Sequence, residues 1–118
     1  MTIEECYGRM GADYPDVLRR MGKADRVERF LRKLPQDGSF SLLCSSVSDG
    51  NIEEAFRAAH SLKGICANLG LSRLYDSSSA LCDALRGGIW QESCSAMLET
   101  VKFQYEDAMA SIRLLDEN

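Results

Sequence analysis

The stretch Cys94–Leu115, CSAMLETVKFQYEDAMASIRLL, decides the fold. Its apolar positions Cys94, Leu98, Val101, Tyr105, Ala108, Ile112 and Leu115 recur in alternating steps of four and three residues. That period makes one continuous seam along a helix lying nearly parallel to its neighbours, and the spacing predicts a helix from about Gln91 to Leu115. Such a seam is stable only when other helices cover it, and upstream segments with the same helical period can supply them.

Working back along the chain, Leu74, Leu81, Cys82 and Leu85 mark a second helix with Ser72 as its N-cap. It stops at Arg86-Gly87-Gly88, where the two glycines supply a left-handed termination. Ser77 to Ser79 lie inside this helix and read as its solvated face. A third helix begins after SDGNIEE, residues 48–54, with Asp49 or Asn51 as the cap. Its first-turn acids Glu53 and Glu54 suit the helix dipole, and it runs to Leu69 with Gly70 ending it. FSLLCSSV (40–47) and RVERFLRKL (26–34) read as shorter helices broken at PQDG (35–38), and IEECYGRM (3–10) and YPDVLRRM (14–21) as short N-terminal ones.

Prolines stand only at positions 15 and 35, and no run alternates in the β-branched manner of a strand. The fold class is therefore all-α. Short connections force consecutive helices to run antiparallel, which gives an up-down four-helix bundle over about residues 37–116, with additional short N-terminal helices within residues 1–35. At 118 residues the chain is long enough for one domain and too short for two independent cores.

Hydrophobic residues make up 45% and charged residues 27%, a balance that supports a packed core and argues against a disordered chain. The net charge of −4 gives no general attraction for nucleic acid or an anionic membrane. The N-terminal segment is acidic where a signal peptide would be basic and then apolar, so a cytoplasmic protein is expected; a monomer is expected as well. Five cysteines, no C-x-x-C pair and a single histidine make a metal site improbable. Cys66, Cys82 and Cys94 fall at apolar helical positions and are expected as buried, reduced thiols.

The single histidine is the candidate for chemistry. On a wheel of about 100° per residue, Ile52, Ala55, Phe56, Ala59, Leu62, Cys66 and Leu69 form the core stripe of the third helix. His60 falls roughly 130° away from that stripe, and is expected in solvent. Gly64, at i+4, bares the ring on its own face, whereas glycine inside a helix costs roughly 0.5–1 kcal/mol relative to alanine. Lys63, at i+3, brings an ammonium within reach of anything attached to the ring. Ile65 lies off the stripe on the far side, at a boundary between helices.

An ordinary imidazole, with pKa near 6.5, is mostly neutral at cellular pH and is a nucleophile without a dedicated base. A phosphoryl group placed on it carries about −1.5 to −2 charges if it behaves as on other side chains, and a neighbouring lysine would stabilise that charge. The sequence has no Gly-rich phosphate loop and no acidic cluster suited to Mg²⁺. Such a protein holds a phosphoryl group but does not take it from ATP, so donor and acceptor must be other proteins.

These residues closely resemble the motif of histidine-containing phosphotransfer (HPt) domains, approximately A-H-x-L-K-G-x-x-x-x-L-G. It is matched by Ala59, His60, Leu62, Lys63, Gly64, Leu69 and Gly70. The resemblance implies a four-helix bundle acting as a phosphorelay intermediary of two-component signalling. It implies His60 as phosphoacceptor, Lys63 as its basic neighbour and Gly64 as the small residue that admits the partner. By spacing alone, Arg86 on the next helix and Arg57 one turn before His60 match further phosphate-stabilising cations. Implied partners are the receiver domain of a hybrid histidine kinase and that of a response regulator. No cofactor is implied on this chain, since Mg²⁺ belongs to the receiver. The alternative is a helical interaction module that is never phosphorylated, and a metal- or cysteine-based enzyme stands behind both.

Overall fold

Helices in this chain start and stop where side chains or glycines take over backbone groups that the helix leaves unpaired. The computed structural model describes residues 1–116. Thr2 opens α1 (Ile3–Met10) with a capping box, its Oγ accepting from the Glu5 amide while the Glu5 carboxylate accepts from the Thr2 amide. Asp13 caps α2 (Tyr14–Met21), where Pro15 occupies the first turn. α3 (Ala24–Leu31) leads through a 3₁₀ turn (Leu34–Gln36) to α4 (Ser39–Ser48). Asn51 is the cap of α5 (Ile52–Leu69), accepting from the Glu54 amide at 3.1 Å, while Asp49 ends α4. α6 (Ser72–Leu85) and α7 (Ser93–Leu114) complete the order, and no strand occurs among the described residues.

Three local expectations need correction. Gly70, at φ +69°, ends α5, and Leu71 alone separates it from α6. Leu71 therefore stands at the N-cap, and Ser72 is drawn into the first turn, its Oγ donating weakly to the Gly70 carbonyl at 3.5 Å. Past α6 only Gly88 is left-handed, at φ +77°. Ser78 is fully buried, because it sits one turn after Leu74 and one turn before Leu81 and Cys82 on the core face. Its hydroxyl finds no partner among the described residues.

Packing follows the chain. α4 lies on α5, α5 on α6 and α6 on α7. The seam of α7 buries Cys94, Leu98, Val101, Ala108 and Ile112, with Tyr105 and Leu115 half-buried beside them. The Tyr105 ring stacks on Phe40 of α4 at 3.9 Å between centroids and 8° between planes, bringing the first of these four helices against the last. Each fully buried leucine among them, such as Leu43, Leu62, Leu81 and Leu85, stabilises the fold by roughly 1.5–3 kcal/mol relative to exposure.

The N-terminal helices belong to the same core, in which Tyr7, Val17, Val27 and Leu31 are fully buried. They also complete α5. Its last carbonyls have no partner within the helix. The Tyr7 hydroxyl donates to the Leu69 carbonyl at 2.7 Å. The Arg20 guanidinium donates to Asn68 and Ala67 at 3.1 and 3.2 Å, and the Asp13 amide to Gly70 at 2.9 Å. At Gly70 only glycine fits, since a Cβ would lie 3.1 Å from the Asp13 carbonyl oxygen on a left-handed backbone. α1 and α2 thus act as the C-terminal cap of α5. Among the described residues no helix is long and apolar enough to cross a membrane.

Candidate functional site

The buried face of α5 consists of Ala55, Ala58, Ala59, Leu62, Cys66 and Leu69. Ala58 joins the core, while Ile52 and Phe56 are only partly covered, so the buried stripe is rotated roughly 30° from the expected one. The rotation carries it further from His60, which is exposed. It also leaves Phe56 at the rim, one turn before the histidine. The two rings lie 6.4 Å apart at 17°, an offset near-parallel pair. The spacing alone puts Phe56, like Ile52, in the core stripe, and the i−4 separation of Phe56 from His60 is the signal that locates it beside the ring.

Gly64 is exposed, and a Cβ built on it meets nothing within 4 Å. No internal contact therefore requires glycine there. Toward its C-terminal end the same face continues through exposed Ala67 and Asn68, so the approach to the imidazole stays low.

Two cations from the expected set stand on the α6 side. Lys63 reaches over Tyr75, its Nζ 5.8 Å from the ring centroid, and forms no ion pair among the described residues. Arg86 lies over Phe56 at 5.4 Å and pairs with Asp83 at 3.1 Å. Phe56 therefore bridges Arg86 to His60. Burial pushes the Cys82 thiol up, while the charges of Lys63 and Arg86 both pull it down. Arg57 is engaged otherwise. Its guanidinium holds Glu53 at 3.1 Å and Glu54 at 2.6 Å, and these carboxylates hold it in the charged state. Tyr75, which no motif indicated, serves as the platform for Lys63.

The arrangement is an accessible imidazole with a cation on one flank, a second cation reached through an aromatic ring, and a bare backbone on the other side. It can accept an electrophilic group and hold a negative charge once attached. Among the described residues no group of three or more His, Cys, Asp or Glu side chains is placed to hold a metal ion. The nearest core thiol on α5, Cys66, is buried and pushed up to about 12 by desolvation, which makes it a poor nucleophile. Cys66, Cys82 and Cys94 are all buried and unpaired.

A protein-family model described as "Hpt domain" matches residues 24–114. The match begins at the first residue of α3 and ends at the last of α7. Searches of curated proteins and of solved structures each returned no match.

Proposed function

The chain belongs to the Hpt domain family, and from that membership we propose that His60 is the phosphoacceptor of a two-component phosphorelay. The observation that carries this reading is the exposed imidazole of α5, with Lys63 on one flank and no side chain on Gly64 to shield it. Hpt domains are phosphotransfer modules rather than kinases, so the phosphoryl group arrives on the aspartate of a receiver domain. A ring nitrogen of His60 attacks the phosphorus with its lone pair, the acyl oxygen–phosphorus bond breaks, and the aspartate leaves as carboxylate. The reverse reaction passes the group to the aspartate of a response regulator.

Lys63 meets the charge of the new phosphohistidine. Without a carboxylate partner among the described residues, it gives up no pairing to do so. Arg86 serves as a second cation after swinging from Asp83, and Arg57 contributes only if it exchanges Glu53 and Glu54 for phosphate. The short connections between α4, α5, α6 and α7 support an antiparallel up-down bundle within one domain. The protein works as a monomer in the cytoplasm and carries no metal, the Mg²⁺ for transfer sitting on the receiver.

The test mixes the protein with a phosphorylated receiver domain and Mg²⁺ and follows acid-labile phosphate. Wild type is expected to take up label, His60→Gln to fold normally and take up none, and Lys63→Met to be labelled more slowly. Full labelling of the His60→Gln variant would sink the assignment.

A further inference from the structure

Charge is distributed unevenly along this acidic chain. Residues 19–33 hold seven of its 14 cations (Arg19, Arg20, Lys23, Arg26, Arg29, Arg32, Lys33) and only two acids (Asp25, Glu28), a net +5. The remaining residues then carry seven cations and sixteen acids, a net −9. Six of the seven clustered cations are exposed; Arg19 and Arg20 pair with Asp16, Arg32 is tied to Glu28 and Asp116, and Lys23, Arg26, Arg29 and Lys33 have no carboxylate partner among the described residues.

This basic segment borders a groove of about 420 Å³ between α2, α3 with its following turn, and the C-terminal half of α5. Met21, Phe30, Leu34 and Ile65 give it an apolar lining, and Arg20 and Lys33 line it with charge against the single carboxylate of Asp37. Phe30 is 39% exposed and lies between two cations, with Lys33 Nζ 4.8 Å and Arg29 Cζ 5.9 Å from its centroid. Among the described residues neither Arg29 nor Lys33 has a carboxylate partner. Ile65, which sequence reading left at a helix boundary, is thereby given a surrounding.

We propose that the protein partner exchanging phosphoryl groups at His60 seats an acidic surface, with an apolar side chain at its centre, on this groove. The inference rests on the phosphotransfer reading above. Asn68, at the near edge of the groove, stands about 12 Å along the helix axis and about 80° around it from His60, with Ile65 turned further, by about 140°. A partner covering about 800 Å² around the imidazole reaches that far. Unpaired cations beside an apolar hollow fit carboxylates around an apolar anchor. An extended polyanion fits less well, because it needs cations along its length and makes no use of an apolar hollow lined by Met21, Phe30, Leu34 and Ile65. Complementary charge of this kind acts mainly on association rate and is weakened by salt.

The experiment measures kcat/KM for transfer between this protein and a receiver domain of its host, at about 50 mM and about 500 mM salt. Three proteins are compared: wild type, the double variant Arg29→Glu/Lys33→Glu, and Phe30→Ala. Each is also phosphorylated with potassium phosphoramidate, a small donor that needs no docking. Charge reversal is expected to lower kcat/KM about tenfold at low salt and much less at high salt. Phe30→Ala is expected to lower it several-fold at both, and phosphoramidate labelling of His60 should be the same in all three. Unchanged transfer in both variants overturns the docking inference alone. So does a groove that binds a DNA duplex or anionic vesicles through the same residues while transfer stays at the wild-type rate. If wild type is labelled by phosphoramidate yet exchanges with no receiver domain, the phosphotransfer reading itself fails, and the inference with it.

Discussion

At Gly64 the fold asks for nothing, since a Cβ there stands in open space and the backbone is ordinary helix. Replacing it with alanine should therefore stabilise the protein by about 0.5–1 kcal/mol through helix propensity. If the glycine is kept for access to His60, the same change should slow phosphotransfer, because a methyl then sits one turn from the ring on its own face. Gly8 supplies the control. It too lies inside a helix with nothing within 4 Å of a built Cβ, but in α1. Gly8→Ala should raise the denaturation midpoint similarly and leave transfer alone. Should Gly64→Ala transfer at the wild-type rate, the access explanation falls while the role of His60 stands. The same pair of glycines marks what a sequence conveys at this scale. The exposure of His60 and Gly64, with Lys63 beside them, was legible because one helical face groups the three at i+3 and i+4. Phe56 was not, because a residue at the edge of an apolar stripe reads as core until the neighbouring helices fix the rotation of α5.

Helix α5 carries the candidate site, and its two ends are held in different ways. Its start is local, a single asparagine side chain on the Glu54 amide, and SDGNIEE narrowed that cap to Asp49 or Asn51. Its end is not local. The Leu69 carbonyl is served by Tyr7, 62 residues away in the chain, and Asn68 and Ala67 by Arg20. No periodicity reports such partners, which is why the N-terminal helices looked like additions and prove to be part of the frame. Tyr7→Phe removes the hydroxyl and leaves a buried carbonyl unpaired, at a cost of about 1–3 kcal/mol. The urea midpoint should fall with an unchanged slope, and amide exchange should accelerate first at Cys66 to Leu69, where the helix end loosens. A midpoint equal to wild type would mean that water satisfies Leu69 and that α1 does not hold α5.

At the scale of the molecule, the ionisable groups placed inside among the described residues are thiols and phenols, which sets how stability responds to pH. Desolvation pushes Cys66 up to about 12 and Cys6 to about 11, with Arg32 and Arg9 partly countering the latter, and burial raises Tyr7, Tyr105, Cys44 and Cys82 as well. Between the ordinary thiol value of 9.0 and these raised ones, the unfolded chain has released protons that the folded chain keeps. The folded state binds more protons there, so stability falls as pH rises. It should be intact below about pH 9 and decline toward 11–12, each such thiol adding a slope of about 1.4 kcal/mol per pH unit inside its window. Urea unfolding at pH 8, 9, 10 and 11 under a non-thiol reductant tests this, and Cys66→Ala separates the cause. That variant loses packing at every pH, yet its decline above pH 9 should be shallower than that of wild type. Parallel curves would mean that Cys66 titrates alike in both states and that its burial is not carrying the alkaline loss.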